Sequence, residues 1–309
     1  VDRPTSRLIL GVCVAIAALA ALASGAGALG RGDLATMPFV TVRGEEVDVL
    51  AAGTYRFNGL AIAAEGVGWD IVTLVVIVPA FLVSLVFLAR GSLRATLAAM
   101  GMLAYFLYQY AEYAMYLAYG PLFIVYVATF SLSLCALVAL GFRLDLATVA
   151  ARVGDRFPRR GAIGLGAVMA LLLAGMWLPL VARTFGATVV PELDGSTTLV
   201  VQAFDLGFLV PLGLATAWTV WHRMPIGLVL AAVVAIKALA MGTAIVAMLV
   251  VESLATGEPA IPPMIVFAAI AAWGTYLTWR ILSGVGPIDR SITVGRRGQP
   301  GMAHPAGAD

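Results

Sequence analysis

The residues best suited to chemistry are an acid and a base embedded in apolar sequence. Glu112 stands inside YFLYQYAEYAMY, residues 105–116, and Lys237 inside AAVVAIKALAMGTA, residues 231–244. Both stretches belong to segments long enough to cross a bilayer. A charged side chain facing hydrocarbon there costs about 2.5–3.5 kcal/mol or more, so each must face protein or water, paired or neutral. Two such groups of opposite sign can exchange a proton, alternate their pairing around a bound solute or ion, or simply lock helices together.

Helical spacing assigns Glu112 its neighbours, because positions three, four and seven apart share a face. Tyr105, Tyr108, Gln109, Met115, Tyr116 and Tyr119 fall on its face, whereas Tyr110 and Tyr113 fall off it. The polar stripe explains why a carboxylate is tolerated: hydroxyls and an amide hold it inside the bundle. Lys237 has Val233, Val234, Ala240, Met241 and Ala244 on its own face, none of them a strong acceptor. Its partner must come from another helix, and Glu112 is the charged residue deep within another span. The two differ in nominal depth by roughly 12 Å, which tilt and side-chain reach absorb only in part. We expect a contact that is direct or runs through Tyr108, Tyr105 or one water. An intramembrane lysine with a carboxylate also raises a retinal Schiff base, but the sequence around Lys237 carries no retinal-helix pattern.

A second acidic set lies toward the outer ends of the spans. Asp70 and Asp205 occupy first helical turns, where the helix dipole favours negative charge, and Glu252 sits near the end of another span. With Glu65, Gln202, Tyr116 and Tyr119 they are expected to line an outward vestibule attractive to cations or to a hydroxylated headgroup. Pro79 and Pro211 free the carbonyls of Val75 and Gly207, so both are expected to kink their helices.

Other chemistries find no support. His222 is at an inner boundary and His304 in the C-terminal tail, so neither haem nor zinc is expected. Cys13 and Cys135 read as small apolar residues. Thr129, Ser131 and Ser133 share their depth with no histidine and read as packing hydroxyls. Trp69, Trp177, Trp218, Trp221, Trp273 and Trp279 mostly lie at span ends, as an interfacial belt requires. The chain lacks nucleotide-binding, zinc-protease and serine-hydrolase motifs. No cofactor and no metal is expected.

The elements that position these residues follow from composition. The chain is 61% hydrophobic and only 12% charged, against about 25% charged in soluble domains. A net charge of +2 gives no reason to expect nucleic acid. Apolar runs at about 8–29, 70–89, 95–119, 122–141, 162–182, 203–221, 226–251 and 263–283 predict eight transmembrane helices. Tyr119-Gly120-Pro121 makes the third and fourth a tight hairpin. With the N-terminus inside, the inner segments hold Arg3, Arg7, Arg90, Arg94, Arg143, Arg152, Arg156, Arg159, Arg160, Arg223, Arg280, Arg290, Arg296 and Arg297. The outer segments hold Arg31, Arg43, Arg56 and Arg183. That asymmetry predicts both termini inside.

The expected architecture is therefore an all-α, polytopic transmembrane helical bundle, residues 1–283, in the cytoplasmic membrane of a prokaryote. It includes an outer loop or cap at 30–69, in which GEEVDVL and GTYRFNGL have strand-like alternation and Asn58-Gly59 signals a turn. An inner loop at 142–161 contains DLATVAARVGDRF, a short amphipathic helix, and 284–309 read as a disordered cytoplasmic tail. Arg3, Arg7 and ALAS at 21–24 resemble a cleavable signal, but the apolar run continues to Leu29 and predicts a retained helix. WDIVTLVVIVP at 69–79 and FDLGFLVP at 204–211 suggest a parallel four-plus-four repeat. The leading functional expectation is transport of a small solute or ion through a polar intramembrane site. The competing classes are a structural or sensory membrane protein with an extracytoplasmic cap, and a membrane enzyme acting on lipid headgroups.

Overall fold

The computed structural model of the chain describes residues 5–30, 35–42, 44–153, 157–183, 185 and 196–286. His304 and all of the expected tail beyond residue 286 lie outside the described residues.

The described chain is an all-α bundle carrying one small hairpin. Its long helices are α1 (Arg7–Leu29), α2 (Leu60–Leu88), α3 (Leu93–Tyr116), α4 (Phe123–Arg143), then, after the short α5 (Leu146–Val153), α6 (Arg159–Arg183), α7 (Val200–Trp221), α8 (Pro225–Thr256) and α9 (Ile261–Gly284). Seven of these, all except α3 and α5, are long and apolar enough to cross a membrane. Such a multi-pass hydrophobic bundle is consistent with a membrane protein.

α3 is long enough, at 24 residues, but its sequence is more polar. Its surroundings explain why. Residues 99–106 and 108–111 are buried without a break, so the helix presents no broad stripe to lipid. α3 packs against α2, α4, α7 and α8, and α8 in turn packs against α2, α7 and α9. These two helices form the axis of the bundle. Small residues allow the close approaches around it: a Cβ on Gly68 of α2 would lie 2.5 Å from the Ala247 carbonyl of α8.

That packing also corrects the expected start of the second span. The helix begins at Leu60, not near residue 70. Glu65, Gly66 and Gly68 dilute the apolar run of its first turns, yet these turns stay helical because α8 and the loop before them enclose them.

The cap differs from expectation in its pairing. β1 (Thr36–Val40) and β2 (Glu46–Leu50) form an antiparallel pair, with Met37 opposite Val49 and Phe39 opposite Val47. EVDVL is thus a strand, but its partner is TMPFV and not GTYRFNGL. The latter segment is turned upon itself: Gly53 and Phe57 both have positive φ, 90° and 70°, a conformation incompatible with a continuous strand. Asn58 ties this turn to the bundle, its Oδ1 accepting from the Ala118 amide at 2.9 Å.

At the opposite end, α5 is capped by Asp145, whose carboxylate accepts from the Ala147 amide at 3.1 Å and from the Thr148 hydroxyl at 2.5 Å. These bonds hold the Asp145 carboxyl below the usual carboxylate range. Val149 and Val153 turn inward and close that end of the bundle.

Candidate functional site

Two helices change their winding at an acidic or hydroxyl residue. α2 contains a π-helical segment, Thr73–Ile77, and α7 contains another, Asp205–Leu209. Each is followed at once by Val78-Pro79 or Val210-Pro211. A proline cannot supply the amide hydrogen for the preceding turn, and the wider π turn accommodates the loss. The winding change sets Asp205 and Thr73 toward α3.

Asp205 is 5% exposed and both of its oxygens are engaged. Tyr108 of α3 donates its hydroxyl to Oδ1 at 2.6 Å, and the Trp177 indole of α6 donates to Oδ2 at 2.7 Å. The Tyr108 ring carries a second charge on its face: Lys237 Nζ lies 4.0 Å from the ring centroid. Lys237 is 3% exposed, and its ammonium also donates to Met241 Sδ. Tyr108 therefore links base and acid, cation–π on its face and a hydrogen bond at its tip. Glu112, one turn further along α3, is partly buried and within electrostatic reach of Asp205, Glu65 and Lys237.

These residues border a cavity of about 460 Å³ between α2, α3, α6, α7, α8 and α9. Glu65, Tyr108, Glu112, Tyr116, Gln202 and Asp205 supply its polar groups, and Trp69, Trp177 and apolar side chains, chiefly of α6, α8 and α9, supply the rest. Lys237 stands behind Tyr108 and Met241 and is not part of the lining.

The remaining expected site residues fall elsewhere. Tyr105 and Gln109 face α2: the Tyr105 hydroxyl is 2.6 Å from Thr73 Oγ1, and Thr73 donates to Gln109 Oε1 at 3.1 Å. Gln109 Nε2 is a buried donor lacking an acceptor among the described residues. Asp70 is only 1% exposed and belongs to a sealed cluster. Tyr55 of the cap donates to its Oδ2 at 2.5 Å, and Tyr113 of α3 approaches Oδ1 at 3.5 Å. Tyr110 completes the layer with Ser24 of α1 at 3.0 Å. Burial, with the Asp70 carboxylate beside it, pushes the Tyr55 hydroxyl well above its ordinary pKa, so it stays a donor. Glu252 lies apart from both clusters, partly buried near the end of α8.

Asp70, Asp205 and Glu252 thus occupy three environments and do not converge. Among the described residues no group of three or more His, Cys, Asp or Glu side chains is arranged to hold a metal.

Sequence reasoning missed Trp177, Tyr55 and Tyr113 as polar partners. Trp69 and Trp177 read as interfacial anchors, yet Trp69 is 6% exposed and stacks on Tyr105 at 6.3 Å, while Trp177 holds Asp205. The signal available was an indole N–H at the depth of a buried carboxylate, a donor needing an acceptor and an acceptor needing a donor.

No family model, no curated protein and no solved structure matches this chain.

Proposed function

We propose that this chain is a transport protein that takes up a small solute or ion in the cavity beside Glu112 and passes it across the cytoplasmic membrane of a prokaryote. In this reading all eight long helices span the bilayer, both termini are inside, and the cap faces outward. The Arg-rich inner segments support that orientation. The two π-helical segments, each followed by a proline and each facing a tyrosine of α3 or its neighbour, support a parallel repeat of two four-helix halves.

The observation that carries the proposal is the meeting of charge and space. Glu65, Glu112 and Asp205 open onto one cavity of about 460 Å³, while the ammonium of Lys237 is held behind Tyr108. A purely structural lock would bring the charges together in a dry contact. Here the acids border a chamber of ordinary ligand size. Transport then works by alternate pairing. With the cavity empty, Lys237 balances Asp205 and Glu112. A bound solute or proton takes over that role, and loss of the Lys237–Tyr108 tie loosens α8 against α3. The weak points at Asp205–Leu209 and Thr73–Ile77 are where α7 and α2 would hinge.

The test is accessibility. In a background with Cys13 and Cys135 replaced by serine, Gln202→Cys and Met248→Cys report on the cavity wall in proteoliposomes. Membrane-impermeant maleimides are expected to label both from the cap side, with Met248→Cys also becoming reactive from the opposite side during turnover. Absence of labelling at both positions from either side would rule the proposal out.

A further inference from the structure

Resting on the transport reading, we infer that the ligand of this cavity is an organic cation with an apolar body, of the alkylamine or quaternary ammonium and phosphonium class.

The charge of the wall sets the sign. Among the described residues, three carboxylates, Glu65, Glu112 and Asp205, border the cavity and no Lys, Arg or His does. The nearest ammonium, Lys237, is shut off by the Tyr108 ring and Met241. An anion entering would find no positive donor to replace its water, whereas a cation stabilises each of these acids in its ionised form.

The distribution of that charge sets the kind of cation. An inorganic ion needs several oxygens converging at about 2–2.6 Å. The acids here do not converge into such a group. Asp205 already accepts from Tyr108 and Trp177 on both oxygens, so it contributes field more than direct coordination. What the wall offers instead are the rings of Trp69, Tyr108, Tyr116 and Trp177 near the carboxylates of Glu112 and Glu65, with one face of Tyr108 taken by Lys237 and one face of Trp69 by Tyr105. Aromatic faces with adjacent acids are the recognition chemistry of weakly hydrated organic cations.

The rest of the lining sets the body. Met169, Met176, Met248, Ile245, Phe267 and Ile270 make it apolar and adaptable. A ligand that fills about 460 Å³ must bury most of its surface against these residues, with its charged end toward α3.

The experiment uses the purified full chain in nanodiscs of zwitterionic lipid, with empty nanodiscs as background. Radiolabelled tetraphenylphosphonium is the probe, and tetraphenylborate, of the same shape and opposite charge, is the competitor. Saturable phosphonium binding is expected, indifferent to tetraphenylborate and to millimolar sodium. Glu112→Gln should weaken it about tenfold, equivalent to about 1.4 kcal/mol. Quenching of indole fluorescence on binding should diminish in Trp177→Phe, a readout that a merely misfolded variant would not share if its elution profile is unchanged. Displacement by tetraphenylborate or by neutral triphenylphosphine oxide as effective as by unlabelled phosphonium would overturn the inference, as would unaltered binding in Glu112→Gln and Glu65→Gln. If no cation binds while Gln202→Cys stays reactive, the ligand class falls and the transport reading stands. If Gln202→Cys and Met248→Cys are also inert, both fall.

Discussion

The sealed Asp70 cluster makes a sharp prediction at two glycines of the same helix. Gly25 and Gly27 both lie in α1, two residues apart. A Cβ on Gly25 meets nothing within 4 Å, whereas one on Gly27 would lie 1.6 Å from Asp70 Oδ2 and 2.9 Å from the Tyr55 hydroxyl. Gly25→Ala should therefore gain the ordinary helix preference of alanine, about 0.5–1 kcal/mol. Gly27→Ala gains the same but evicts the carboxylate from the place where Tyr55 donates to it. Leaving a buried partner of that bond unsatisfied costs about 1–3 kcal/mol. The two variants should differ by that amount, roughly a five- to 150-fold difference in the unfolding equilibrium. Cys13 supplies the assay, since it is buried while Cys135 is exposed. In a Cys135→Ser background, a thiol-reactive dye reports unfolding through Cys13 alone. Gly27→Ala should expose it at a lower denaturant concentration than the parent, and Gly25→Ala should not. Equal stability of the two variants would show that Asp70 can leave Gly27 without loss, and the latch between cap and bundle would not exist.

Other expectations follow from the same geometry. Tyr55→Phe should loosen the cap, seen as faster hydrogen exchange in residues 44–58, with α8 unaffected. Because burial raises the Tyr55 hydroxyl above its unfolded value, its contribution is complete below about pH 10 and is lost as pH rises further. The parent should thus lose more stability than Tyr55→Phe between neutral pH and strong alkali, and parallel loss in the two would refute this. Lys237→Met removes the charge that faces Asp205 and Glu112, so stability and solute uptake should both fall; unchanged stability would show that the lysine does not balance those acids. Gly166→Val should part α6 from α7, since a Cβ there would lie 2.6 Å from the Gly213 carbonyl. An overpacking cost of about 1–3 kcal/mol is expected in the same thiol assay, and a neutral result would refute the close approach.

Much of the bundle was legible because lipid-facing helices must be apolar along their whole length. α1, α4, α6, α8 and α9 start and stop close to their apolar runs. The first turns of α2 were not legible, because their polar and glycine residues face other helices and the hydrophobic rule does not govern them. The site was harder for a geometric reason. The polar stripe of α3 was read as one face, but neighbouring residues on a helix point about 100° apart. Tyr108 and Gln109 therefore cannot share a partner, and they do not: one meets Asp205 and the other Thr73. Tyr110 and Tyr113, off that stripe, found acceptors of their own in the carbonyls of Ala20 and Gly66. A helix enclosed on all sides can be polar in several directions, and spacing alone does not say which neighbour answers each residue.

The enclosure of α3 also constrains how the chain is made. α3 emerges from the ribosome long before α8, whose arrival covers Tyr108 and whose Ile236 fills the space beside Gly101. Until then the Tyr108 ring lacks Lys237, and Glu112 borders a chamber still open on the α8 side. α3 should therefore enter the membrane reluctantly by itself, and its hairpin with the more apolar α4 is the natural vehicle for insertion. Truncating the chain before Pro225 should leave α3 exposed to quality-control proteases, which makes synthesis of α8 the step at which the molecule becomes durable.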